Sequence, residues 1–156
     1  MLNLLSFSSK STHQYCKSLL MGERTEHLYA IALDNKCVIL GAREISEGTL
    51  TEVNAYPRKI IETALNYNAN AIILCHNHPG RANQPAKADI ESTRKIKFLL
   101  NTLGICMLDH IIVCGSNTYS MALHRDIGDE EQAKVSKKNR RQAKRRRPGK
   151  RKKPPD

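Results

Sequence analysis

The sequence predicts an α/β domain, on three observations. A short run of apolar and β-branched residues, Ala69-Asn-Ala-Ile-Ile-Leu-Cys75, reads as a buried central strand. Segments with helical spacing of apolar residues flank it on both sides, over 57–67 and 86–103. Two further apolar runs, 26–33 and 37–41, are joined by Asp34-Asn35, a turn pair that makes them a hairpin.

Taken in order, residues 12–21 form an amphipathic helix with Tyr15, Leu19 and Leu20 on one side and Ser11 or Thr12 as its cap. Glu26–Leu33 is apolar on both faces and so belongs in the centre of a sheet; Cys37–Gly41 returns beside it, and Gly48–Thr51 is a candidate further strand. Pro57 suits the first turn of a helix that carries Ile60, Ile61, Ala64 and Leu65. The helix over 86–103 stops at Gly104; residues 105–113 form another strand, and 118–123 a last short element. No internal repeat is visible.

A chain of 156 residues is long enough to bury a real core as one domain. Its five cysteines, Cys16, Cys37, Cys75, Cys106 and Cys114, are odd in number and contain no Cys-x-x-Cys pair. Reduced thiols in a cytoplasmic protein fit them better than a disulfide framework or a cysteine zinc site. No run approaches the roughly 20 apolar residues of a membrane span, and the N-terminus lacks the features of a signal peptide. The reading is therefore a cytoplasmic protein with no membrane partner.

Charge divides the chain into a domain at 1–126 and a tail at 127–156. The tail holds 13 Lys or Arg against 4 Asp or Glu, about +9 of the total +11. Apolar residues nearly vanish there, so the tail is expected to be disordered in isolation. Arg140, Arg141, Lys144, Arg145, Arg146 and Arg147 are the candidate contacts to nucleic acid, nonspecific because the tail has no aromatic residue to stack on bases. An address signal or a solubilising extension fits the same composition.

The chemistry gathers where the buried strand ends, in His76-Asn-His78-Pro79-Gly80. Residues two apart on an extended segment point the same way, so His76 and His78 can present two imidazoles to one point while Asn77 faces elsewhere. Asp89 arrives eleven residues later in the first turns of the next helix, on a stripe with Thr93, Ile96, Leu100 and Leu103 that turns its carboxylate toward the packed side. A buried carboxylate needs compensation, which a cation shared with the histidines provides. Two imidazoles and one carboxylate suit one zinc ion with a fourth position open to water. The same pattern also fits a loop histidine pair and a helix-starting Asp favoured by the helix dipole. Asp109 and His110 are candidates to orient a ligand, or only pair with neighbours in a strand. His13, His27 and His124 have no constellation around them, and Cys75 reads as buried packing.

The segment His76-Asn-His-Pro-Gly-Arg-Ala-Asn-Gln-Pro-Ala-Lys-Ala-Asp89, continued by 90–93 and by Leu108-Asp-His-Ile-Ile112, resembles the RadC-type JAB/MPN (JAMM) family. Gly48-Thr-Leu50, Pro57-Arg58 and 69–74 fall in the order that family shows, so the likeness covers roughly residues 10–123. It implies a JAB/MPN fold, an α+β mixed sheet flanked by helices with cytidine-deaminase-like architecture, and a zinc site of His76, His78 and Asp89. It further implies that Glu26 is the catalytic acid/base of a metalloprotease that hydrolyses a peptide or isopeptide substrate. Without the family, Glu26 is an acidic residue at a strand edge that competes with Glu23, Glu44 and Glu47.

Two departures stand out. Ala86 occupies the position, three residues before the Asp ligand, where the family usually has an oxyanion-supporting Ser; Gly80-Arg81 stands where Ser-Gly is usual. The N-terminal helical region of full-length RadC proteins has no counterpart in this sequence. The alternative expectation is a zinc-binding module, weak or inactive as an enzyme, that attaches to nucleic acid by its tail. A link to DNA repair rests on the family name and that tail.

Overall fold

The computed structural model describes residues 10–48, 55–80 and 84–128. Among them the chain forms α1 (Lys10–Leu20), β1 (His27–Leu33), β2 (Ile39–Glu47), α2 (Ala55–Asn66), β3 (Ala71–Asn77), α3 (Lys87–Thr102), β4 (Cys106–Cys114) and β5 (Asn117–Ser120). The strands make one sheet in the order β2-β1-β3-β4-β5, in which β3 and β4 run parallel and the other neighbours antiparallel. This is the mixed α+β sheet that the sequence and its JAB resemblance predict.

Apolar residues on both faces of β1 and β3 require cover on both sides. α1 supplies one layer, packing Cys16 and Leu20 against Ile31, Leu33, Ile73, Cys75 and Ile111. α2 and α3 supply the other, with Ile60, Ala64, Ile96 and Leu100 over Ala30, Ala32, Ile72 and Leu74. Every residue of β3 is buried, as its composition foretells. Cys75 is completely buried, and its hydrogen bond with Cys16 together with burial pushes its thiol pKa well up, so it is packing rather than a nucleophile. All five cysteines are free thiols.

Several boundaries differ from the sequence reading. β2 begins two residues later than expected and runs on to Glu47, because an edge strand open to solvent keeps polar residues such as Arg43 and Glu44 that apolar patterning does not register. The candidate strand over Gly48–Thr51 lies, beyond Gly48, outside the described residues. Leu65 and Leu103, both assigned to apolar stripes, are exposed. Leu103 is turned out because α3 ends at Thr102 in a Schellman motif: Gly104 N donates to Asn101 O and Ile105 N to Leu100 O, with Gly104 at φ +74°. Ile127, placed in the tail, is buried against Ile112 and Met121, and Lys97 Nζ donates to its carbonyl at 2.7 Å. The fold thus continues past residue 126; the cations at 134–153 lie outside the described residues. No helix among the described residues is long and apolar enough to cross a membrane.

Candidate metal centre

β3 is held on both edges, by β1 and by the parallel β4, so it stays extended up to Asn77, and His78 N continues the pairing by donating to Val113 O at 3.0 Å. The alternation of an extended chain then sets His76 and His78 side by side on the α3 face. Pro79 and Gly80, the latter at φ +65°, turn the chain out of the sheet. The chain re-enters at the N-terminus of α3, at the carboxyl end of the parallel strands, where the helix dipole favours a carboxylate.

Three donor atoms meet there. Nε2 of His76 and Nε2 of His78 lie 2.8 Å apart, and Asp89 Oδ2 lies 3.4 Å from His78 Nε2 and 3.8 Å from His76 Nε2. Both histidines are buried and the Asp89 side chain is 13% exposed. Burial lowers the His76 pKa to about 4, so its imidazole is neutral near pH 7. Burial alone would raise Asp89, but its bond to His78, the nearby His76 and the Ala86 N–H outweigh that and hold the carboxyl at about 2. The site is therefore two imidazoles, one of them held neutral, beside one ionised carboxylate.

That donor set fits a zinc ion. Tetrahedral ligands at zinc bond lengths of about 2.0 Å sit about 3.3 Å from one another, and the three separations here straddle that value. His76, His78 and Asp89 can hold a metal ion as a group. The Glu26 carboxylate falls outside this group of mutually close ligands.

Glu26 precedes β1 by one residue. Continuing the Leu28–His76 register by two residues along each strand brings Glu26 level with His78, on the same face of the sheet as His76. His110 is also on this face: its Nε2 meets His76 Nδ1 at 2.6 Å and its Nδ1 meets Thr93 Oγ1 at 2.7 Å. Asp109, paired with it in the sequence reading as a possible supporting residue, is placed elsewhere. It follows the alternation of Ile111 onto the α1 face, where it accepts from Ser120 Oγ, Ala122 N and His110 N. It anchors the segment after β5 and does not reach the histidines.

Ala86 is the N-cap of α3 and makes half a capping box. Its N–H donates to Asp89 Oδ2 at 2.8 Å, but its methyl group cannot return the bond. Arg81 lies outside the described residues. A cleft of about 410 Å³ opens beside His78, lined by Asn77, Pro79 and Gly80 on one side and by Met21, Glu23 and Arg24 on the other.

Three contributions escaped the sequence reading. Thr93 appeared there only as a stripe member, and its hydroxyl ends the histidine chain. Asn77 faces away from the ligands, yet both ends of its amide are engaged, the oxygen with His27 N at the start of β1 and the nitrogen with Thr25 O just before it. His27, expected to stand alone, meets Glu44 Oε1 at 2.5 Å, Thr25 Oγ1 at 3.0 Å and Glu23 Oε2 at 3.4 Å, and with Glu44 and Glu47 forms a second group of potential ligands. Glu44 and Glu47 are exposed, and both ring nitrogens of His27 are already engaged. Two-residue alternation along a strand and helical spacing along α3 are the signals the sequence offers for these residues, and they give direction without naming partners.

Residues 7–126 match the family of the RadC-like JAB domain. The chain belongs to that family. A UPF0758 protein of Bordetella bronchiseptica is 40% identical over 109 residues, covering 70% of this chain and 48% of the relative. UPF0758 proteins of a Janthinobacterium species and of Vibrio vulnificus are 38% and 36% identical, covering 75% and 74% of this chain and 52% and 51% of themselves. The chain thus spans about half the length of the curated relatives it matches. The matched span of the RadC-like JAB domain contains Glu26, Ala86 and all three candidate ligands.

Proposed function

We propose that this RadC-like JAB domain is a zinc-dependent hydrolase of amide or isopeptide bonds. The observation that carries the reading is the convergence of His76 Nε2, His78 Nε2 and Asp89 Oδ2 at tetrahedral spacing, with His78 also lining a cleft. Bound to these three atoms, zinc would polarise the scissile carbonyl and lower the pKa of the attacking water.

Glu26, level with His78, is the base. Its carboxylate takes a proton from the water as the oxygen attacks the carbonyl carbon, then gives that proton to the amine as the C–N bond breaks. His110 holds His76 in place. The family's supporting hydroxyl is missing at Ala86, and one oxyanion-type donor is typically worth about a hundredfold in rate. Turnover is expected to be slow for that reason.

Ala86 also favours a second reading, a zinc-holding module without efficient turnover that binds nucleic acid through its basic tail, which would be the route to any part in DNA repair. One experiment separates them. Metal content is measured on wild type and His78→Ala purified without chelator, and hydrolysis of peptide and isopeptide panels is followed with Glu26→Gln as control. About one zinc per chain, lost in His78→Ala, with hydrolysis lost in Glu26→Gln, supports the hydrolase. Zinc without hydrolysis supports the module, and a folded wild type that takes up no zinc overturns both.

A further inference from the structure

We propose that Asn77, the middle residue of the His-x-His pair, is the positioning residue for Glu26. Its side-chain amide clamps the backbone on either side of Glu26 to the strand that carries the metal ligands.

β1 and β3 pair in register from Leu33–Ala71 to Leu28–His76. The next pair would set His27 against Asn77, but there the Asn77 side chain does the pairing. His27 N donates to Asn77 Oδ1 at 2.7 Å, and Asn77 Nδ2 donates to Thr25 O at 2.8 Å. Both contacts fit one orientation of the amide, with its oxygen accepting and its nitrogen donating. Asn77 is 3% exposed, so losing either partner would strand a buried polar group.

Thr25 C=O and His27 N–H flank Glu26 and point to the same edge of the strand, so a single side chain spans the residue between them. On the other edge, Gly48 N donates to Glu26 O at 2.8 Å. The His27 ring, braced by Glu44 and Thr25, stiffens the same three residues. Glu26 lies beyond the end of the ladder, where a strand normally frays, yet its backbone is fixed on both sides. One fixing residue is the immediate neighbour of both histidines. The placement of the base and the placement of the ligands thus depend on the same turn of β3.

This inference rests on the reading of Glu26 as the base, and its test separates the two. The full chain is compared with Asn77→Ala, with the isosteric Asn77→Asp, which keeps the acceptor for His27 N–H but faces Thr25 O with a second oxygen, and with Glu26→Gln. Zinc affinity should stay close to wild type in all three. Hydrogen exchange at the His27 and Gly48 amides should quicken on the order of ten-fold in Asn77→Ala. With cobalt(II) in place of zinc, the visible spectrum followed against pH should shift in Glu26→Gln. It should shift the same way in Asn77→Ala, and no further when the two changes are combined.

Faster exchange with an unmoved cobalt profile would overturn the proposal, because the clamp would then be structural only. Additive shifts in the double variant would overturn it as well. Loss of zinc in both Asn77 variants would show that Asn77 serves the ligands rather than Glu26. A cobalt profile unchanged in Glu26→Gln itself would remove the base assignment and leave the metal site standing.

Discussion

His76 Nδ1 and His110 Nε2 lie 2.6 Å apart, and the other nitrogen of His110 meets Thr93 Oγ1 at 2.7 Å. When His76 carries its proton on Nδ1 and donates it to His110, its Nε2 lone pair is left facing His78 and Asp89. His110 then carries its own proton on Nδ1, for Thr93 to accept. Burial keeps His110 neutral, with a pKa well below its usual value, so it can act as an acceptor. A strand on one side of the sheet and a helix over it together select the tautomer in which His76 can bind a metal.

His110→Ala should therefore weaken zinc binding by about 10–100-fold while leaving the fold in place, as measured by competition with a chelating dye. Asp109→Ala should do the reverse. Its carboxylate ties Ser120 and Ala122 to β4, so the variant should lose about 3 kcal/mol of stability in denaturant unfolding and keep its zinc affinity.

Metal-free protein should lose stability in acid, because the pKa values of His76, His110 and Asp89 are all lowered in the fold. His76 has its pKa lowered from 6.5 to about 4, so between those values the unfolded chain binds the extra proton and the folded one does not. Stability should be full above pH 6.5 and fall as pH drops toward about 4, by on the order of 3 kcal/mol from this group. Asp89, lowered from 3.8 to about 2, stabilises above 3.8 and loses that contribution as pH falls through about 2. Urea unfolding of the apo form across this range gives the profile; a flat response between pH 6.5 and 4 would show that His76 is not buried neutral.

Ala86→Ser should raise stability by about 1 kcal/mol, because a hydroxyl at the N-cap can accept from the Asp89 N–H and complete the capping box. If the missing donor is what limits turnover, the same variant should also gain hydrolytic rate. A thermal melt and a rate assay on one preparation distinguish a capping gain from a catalytic one.

Removal of residues 129–156 should abolish nonspecific nucleic-acid binding and leave zinc affinity unchanged. The intact chain should bind duplex DNA with an affinity that falls steeply with salt, as 13 cations displacing phosphate counterions require. Affinity independent of salt, or retained after truncation, would place the contact on the domain.

Much of this protein is legible in its residues alone. The run 69–75, apolar but for Asn70, reads as a covered strand, two histidines at a spacing of two along it share a face, and an Asp on the stripe of the following helix is directed toward the packed side. Local periodicity therefore gives the directions of His76, His78 and Asp89 and the central place of 69–75, while the choice of a metal site over a loop histidine pair comes with the family resemblance. The exposed edge β2, the outward turn of Leu103 and the burial of Ile127 are not legible in this way, because each depends on what the rest of the chain covers. The same holds around the site. That His110 and not Asp109 supports His76 is decided by the register of β4 against β3, which includes an irregularity between Ile72 and Ile73. That Asn77 grips the segment bearing Glu26 is decided by where the β1–β3 ladder ends. Periodicity gives a side chain its direction; only the register between strands far apart in sequence gives it a partner.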